Sequence, residues 1–316
     1  MIVYFALIGL ALAVLAKGGD LFVDSSLVIG RVLRVPRFVI GGTLVSLATT
    51  MPELVVSTVA SAVGDSGIAL GNAVGSCICN VGLIVGMVAF LNPVHVERRS
   101  LIKRAAWMVA AGVLVVIFTW DRTLERPLAA VLLGLAFAYL IWDFLAIRRQ
   151  RDDAPALEGP IELKRAIVLF GLGLVLIVGG SWLLVKYGQL LALSLGLPSV
   201  IIGLSIVAIG TSLPELVTGV AAARKGVPDL SLGNILGANV LNLFLIVGWA
   251  GSVSPLTLTR FTQVYSYGWL GIFFAAFIGL AFRTGSFYRG GGVLLLFLYV
   301  LYVTGMAFFP VFVSDF

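Results

Sequence analysis

The octapeptide LATTMPEL at residues 47–54 recurs as IGTSLPEL at residues 209–216, an offset of 162 positions. Working outward at that offset, Val39–Gly86 aligns with Ile201–Gly248 without a gap. Gly41, Thr49, Pro52, Glu53, Leu54, Leu70, Gly71, Asn72, Gly75, Asn80, Ile84 and Gly86 recur as Gly203, Thr211, Pro214, Glu215, Leu216, Leu232, Gly233, Asn234, Gly237, Asn242, Ile246 and Gly248. Even Val35-Pro36 before the first block has an apolar-proline counterpart, Leu197-Pro198, before the second. Drift after a duplication need preserve only apolar packing. What recurs here is polar.

The repeated blocks lie in a chain of 316 residues that is 60% hydrophobic and 11% charged, whereas soluble domains carry roughly 25% charged residues. Apolar runs of about 18 to 25 residues recur throughout, each long enough to cross a hydrocarbon core of about 30 Å. They predict ten helices, near 2–26, 37–61, 67–91, 104–120, 127–147, 166–187, 199–222, 229–250, 262–282 and 291–310. The N-terminal run lacks the positively charged leader of a signal peptide and reads as the first span. The polar segment 148–165, which opens RRQRDD, is a linker with no room for a soluble domain. It divides the chain into residues 1–147 and 166–316. Equivalent positions are separated by five spans, an odd number, so the two copies cross the membrane in opposite directions. The expected fold is all-α and polytopic, two inverted five-helix repeats of the kind found in secondary transporters.

Basic residues set the orientation, because short cytoplasmic loops collect them. One alternate set of loops holds Arg31, Arg34, Arg37, Arg98, Arg99, Lys103, Arg104, Arg148, Arg149, Arg151, Lys164, Arg165, Arg224, Lys225, Arg283 and Arg289; the other holds only Arg122, Arg126, Lys186 and Arg260. This places the linker inside and both termini outside the cytoplasmic membrane. The net charge of +6 does not imply a nucleic-acid partner, since the basic residues lie between apolar spans and not on one soluble face. Cys77 and Cys79, within an apolar run, read as reduced packing residues. In the first span Lys17 and Asp20, three residues apart, are expected to pair.

The chemistry of the repeat is that of an ion site. Pro52 and Pro214 break their helices, which frees backbone carbonyls near residues 48 and 210 to face inward. Beside those breaks stand the hydroxyls of Thr49, Thr50, Thr211 and Ser212 and the carboxylates of Glu53 and Glu215. The next span of each copy reads GNAVGSCICN (71–80) or GNILGANVLN (233–242). Its small residues allow close helix approach, which brings Asn72, Asn80, Asn234, Asn242 and Ser76 toward the carboxylates. Two carboxylates among neutral oxygens, with no histidine or thiolate, suit a hard cation such as calcium. Carboxylates at membrane depth are costly, about 2.5 to 3.5 kcal/mol each by insertion scales, and a bound cation offsets that cost. Protonated carboxyls that only hydrogen-bond neighbouring helices are the competing reading. For the asparagines and hydroxyls, helix linkage is likewise the plain alternative.

These motifs resemble the cation/calcium exchanger superfamily, and within it the prokaryotic sodium/calcium exchangers. The resemblance rests on TTMPEL with GNAVGSCICNVG and on GTSLPEL with GNILGANVLN, and it extends to GGDLFV (18–23) and its counterpart GSWLLV (180–185). It implies cation sites among spans two, three, seven and eight, alternating access as spans one and six slide past that core, and transported Ca²⁺ and Na⁺ rather than any cofactor. It implies a transporter and not an enzyme. Proton-coupled members carry a glutamate where this chain has Gly75 and Gly237, and potassium-dependent relatives carry an aspartate at the position of Asn242. The expected activity is Ca²⁺/Na⁺ antiport. The alternatives are a Ca²⁺/H⁺ or other cation/proton antiporter on the same fold, and a cation channel.

Overall fold

The computed structural model describes residues 2–149, 160–194, 208–284 and 286–312. They form α1 (Ile2–Leu33), α2 (Arg37–Thr49), α3 (Met51–Ala62), α4 (Ser66–Leu91), α5 (Arg98–Phe118), α6 (Arg126–Arg149), α7 (Pro160–Ser194), α8 (Ala208–Thr211), α9 (Leu213–Arg224), α10 (Pro228–Val253), α11 (Thr262–Phe282) and α12 (Arg289–Phe312). Among the described residues eight helices are long and apolar enough to cross a membrane, or nine if the bent pair α2–α3 is one span. The protein is thus a multi-pass helical membrane protein. Of the expected seventh span only 208–222 lies within the described residues, and linker residues 150–159 lie outside them.

Two helices run further than the apolar pattern suggests. The helix α1 continues through Ser25 and Ser26 because their hydroxyls donate back to Leu21 and Phe22 carbonyls, which leaves no polar group unpaired. The helix α5 starts at Arg98, so Arg104 is not a loop charge. It is buried in the span and paired with Asp143 of α6.

Short ribbons tie the helix ends together. Strand β1 (Val94–His95) pairs with β4 (Ser286–Phe287), and β2 (Thr123–Leu124) pairs with β3 (Leu256–Thr257). The sequence offset carries Val94 of β1 onto Leu256 of β3, so the two ribbons occupy equivalent places in the two copies. Turns of the two copies agree as well: Gly64 after α3 and Gly226 after α9 both take positive φ, 83° and 73°, a conformation that glycine adopts without steric cost.

The centre of the molecule is α4 and α10. Every residue of the α10 apolar window is buried inside the protein, whereas the outer helices expose much of theirs. Val55, Val59, Phe137, Ile141, Val168, Phe297 and Val300 point outward; in a membrane they meet lipid, so their exposure carries no penalty. The helices α2 and α10 touch backbone to backbone: a Cβ added at Gly233 would lie 2.0 Å from the Phe38 carbonyl oxygen, and one at Gly41 2.1 Å from that of Leu230. Gly71 and Gly75 meet no described atom within 4 Å. The segment equivalent to α2 falls largely outside the described residues.

Candidate ion-binding site

The α2–α3 span bends by 40° at Thr50, and α8 gives way to α9 at Ser212. Each proline sits in the first turn after its break, where a missing N–H costs nothing. The freed-carbonyl expectation needs correction at Ala48. Backbone N–H groups at the end of α2 reach both Ser46 O and Ala48 O, because a tightened last turn recruits the carbonyl that proline leaves behind.

Glu53 and Glu215 lie in the first turns of α3 and α9, where the positive end of the helix dipole favours a carboxylate. Both are 1% exposed, and the helix that carries Glu215 packs against the Ser46–Thr49 turn just before the break that precedes Glu53. All four of their carboxylate oxygens are buried without a hydrogen-bond partner. Asn80 Oδ1 and Asn242 Oδ1 are in the same condition. Buried acceptors are rarely left bare. These two asparagines also open the π-helical turns Asn80–Val85 and Asn242–Ile246, wide turns that recur at functional sites.

The other expected residues are held in defined ways. Thr50 donates its hydroxyl to Ser46 O at 2.5 Å, and Ser212 donates to Ser76 Oγ at 3.1 Å. Neither caps its helix with its side chain, so oxygen lone pairs remain. Thr49 donates to Asn234 Oδ1 at 3.3 Å across the two copies. Asn234 then presents its unpaired Nδ2, a donor suited to a carboxylate and not to a cation. Asn72 spends its amide nitrogen on Glu53 O (3.2 Å) and Ser57 Oγ (2.9 Å), clamping α4 to α3. Thr211 is half-buried at the end of α8. Among the described residues no three His, Cys, Asp or Glu side chains gather as a metal cluster; the arrangement offers two carboxylates and neutral oxygens.

Sequence reasoning missed Asn239. It is fully buried, accepts from Asn80 Nδ2 at 2.9 Å and directs its own Nδ2 to Met108 Sδ at 3.4 Å. In doing so it occupies the amide nitrogen of Asn80 and leaves Asn80 Oδ1 as the unpartnered end of that side chain. Its repeat counterpart is Cys77, whose thiol lies 3.7 Å from the Asn239 carbonyl oxygen. The signal was a polar residue in an otherwise apolar turn of GNILGANVLN. The expected Lys17–Asp20 pair is replaced as well: Lys225, beyond α9, takes Asp20 at 3.5 Å and Asp24 at 2.9 Å.

A multi-pass helical protein with two buried, unpartnered carboxylates, each in the first turn after a break in a helix, is, by class, an ion transporter. The family model for the sodium/calcium exchanger protein matches residues 3–145 and 165–308. The sodium/calcium exchanger MaX1 of Methanosarcina acetivorans is 34% identical over 95% of this chain and 97% of its own length. The uncharacterized membrane protein MJ0091 of Methanocaldococcus jannaschii is 31% identical, over 94% and 96%. A structure of the sodium-calcium exchanger NCX_Mj soaked with 2.5 mM Na⁺ and 10 mM Sr²⁺ superposes with a TM-score of 0.82 at 29% identity, covering 97% of this chain and 98% of that one. The chain belongs to the sodium/calcium exchanger protein family.

Proposed function

We propose that the protein is a secondary antiporter exchanging Ca²⁺ for Na⁺ across the cytoplasmic membrane by alternating access. Ten transmembrane helices form two inverted five-helix repeats, residues 1–147 and 166–316, joined by the cytoplasmic linker 148–165 with both termini extracytoplasmic. The observation that carries the reading is the set of bare acceptors on Glu53, Glu215, Asn80 and Asn242. A divalent cation satisfies all of them at once and balances both carboxylates. Hydroxyl oxygens of Thr50, Ser212 and Ser76 complete the shell, with Thr49, Thr211, Asn72 and Asn234 next to it.

Calcium and a group of sodium ions compete for the same carboxylates, so each half-cycle carries one kind of ion. If three sodium ions exchange for one calcium, as the family resemblance implies, each cycle moves one net charge, worth about 2.3 kcal/mol per 100 mV. An inside-negative potential then favours calcium exit. Sodium rather than proton coupling is supported at Gly237. A Cβ there would lie 2.3 Å from Gly42 O and 2.5 Å from Ser46 Oγ, so a glutamate has no room at that position, whereas Gly75 has open space beside it.

Calcium uptake into sodium-loaded inverted vesicles tests this. Glu53→Gln and Glu215→Gln are each expected to reduce uptake to background, and removing internal sodium is expected to abolish it in the unaltered protein. Uptake surviving both substitutions overturns the site. Uptake independent of sodium but driven by a pH gradient overturns the coupling ion.

A further inference from the structure

A cavity of about 460 Å³ opens between the end of α1 and the start of α7, away from the carboxylates. Two arginines, Arg31 and Arg165, line it from opposite helices, and Leu21, Val28 and Leu169 make its apolar wall. Asp24 also lines it, but that carboxylate is engaged by Lys225 Nζ at 2.9 and 3.0 Å. Among the residues whose side chains are described, a set that does not include Glu162, no carboxylate lies within ion-pair distance of either arginine. Arg31 makes only a long 3.4 Å contact from Nε to Leu27 O, which leaves its two terminal nitrogens for a ligand. Just beyond the cavity on α7, Ile167, Val168 and Leu172 are exposed, so this face of the helix meets acyl chains. The cavity thus joins a doubly basic mouth at the helix ends to an apolar wall that runs toward the membrane interior.

We propose that this cavity binds an anionic phospholipid of the cytoplasmic leaflet, its headgroup phosphate between Arg31 and Arg165 and an acyl chain along Leu21, Val28 and Leu169. Arginine suits the phosphate because its planar fork matches two oxygens at once. Basic pockets between helices at the cytoplasmic face are a recognised setting for such headgroups. The site is distinct from the ion site in residues and in chemistry. One bound lipid bridges α1 and α7, the two helices most extensively packed on one another.

Native mass spectrometry of the delipidated full chain in detergent, titrated with phosphatidylglycerol, phosphatidylcholine or inorganic phosphate, tests the proposal. Phosphatidylglycerol is expected to bind on the order of tenfold or more tighter than phosphatidylcholine, because both carry the phosphate but only phosphatidylcholine adds a choline cation that two arginines repel. Arg31→Ala with Arg165→Ala is expected to remove that preference; Arg98→Ala with Arg99→Ala, an exposed pair on α5 carrying the same charge, is expected to retain it. Arg31→Gln with Arg165→Gln, which keeps polar side chains and removes the charge, is expected to remove the preference as well. The site is overturned if phosphatidylcholine binds equally, if inorganic phosphate competes the lipid away at similar concentration, if both alanine pairs lose binding alike, or if neither does. The titration is run without sodium or calcium, so its outcome is independent of the transport assay.

Discussion

Arg104 and Asp143 show how a single residue pair can be costly and still kept. Both are nearly sealed from solvent and are ion-paired, with Arg104 also donating to Tyr139 at 3.2 Å and lying over the Phe38 ring at 5.4 Å. In the second copy the offset carries Arg104 to Ser266 and Asp143 to Gly305. Beside these positions the Tyr265 hydroxyl donates to Tyr302 O at 2.5 Å and fills the space next to Gly305, so a neutral hydrogen bond stands where the first copy has an ion pair. Removing one partner of a buried pair typically costs about 3–5 kcal/mol, whereas replacing both with apolar groups is often close to neutral. Asp143→Asn is therefore expected to lower the melting temperature in detergent sharply, and Arg104→Met with Asp143→Leu to recover most of it. Equal melting of the single and double variants would show that the charges are not coupled. This pair was not legible in the sequence because the apolar run begins the fourth expected span at residue 104, six residues after the helix itself starts at Arg98, which put Arg104 among the loop charges. Glu53 and Glu215 were legible because a carboxylate at membrane depth stands out wherever it occurs. Asn239 was not, since its counterpart Cys77 breaks the repeat at that position.

At the scale of elements, the repeat and the proline breaks were readable because both leave marks in linear order: a fixed offset, and a residue without an N–H. The contact between α2 and α10 was readable only in outline, as glycines spaced along a span. Its closeness depends on which face each helix turns, and that is set by tertiary packing. The structure separates glycines that are needed from those that are not. Gly233 admits no side chain, because the obstacle at 2.0 Å is the Phe38 backbone carbonyl, which has no rotamer to yield. Gly134, on the exposed face of α6, has open space beyond it. Gly233→Ala is expected to cost about 1–3 kcal/mol or more through overpacking. Gly134→Ala is expected to be neutral or to add about 0.4–1 kcal/mol by restricting the unfolded chain. Thermal unfolding of the two variants side by side checks this, and equal stability would mean that α2 and α10 do not meet at their backbones.

For the whole molecule, the apolar core is divided. A large cluster surrounds α4, α5, α6, α10, α11 and α12, while a separate one, built around Leu15, Phe22, Val39, Ile177 and Ala222, seats α1 and α7 against α2 and α9. The seam within the α1–α7 pair is tight: Phe22 and Phe170 stack at 4.4 Å, and a Cβ added at Gly173 would lie 2.7 Å from the Phe22 backbone nitrogen. A pair packed this tightly is suited to moving as one body, which is the sliding that the family resemblance implies for spans one and six. The salt bridges from Lys225 to Asp24 and Asp20 cross the boundary of that pair, tying α1 to the turn between α9 and α10. They are exposed and each contributes little to stability, about 0–1 kcal/mol, so their breaking is compatible with repeated motion. A covalent tie at the same place is not. With Asp24→Cys and Lys225→Cys joined by a short bifunctional thiol reagent, calcium uptake into vesicles is expected to stop. The uncrosslinked double variant is expected to transport, because Cys77 and Cys79 are buried and take no part in the link. A reagent cleaved by reductant is expected to restore uptake when reductant is added. Transport that continues at the original rate with the crosslink complete would show that α1 does not move against the α9–α10 turn, and alternating access would then have to be carried by a different boundary.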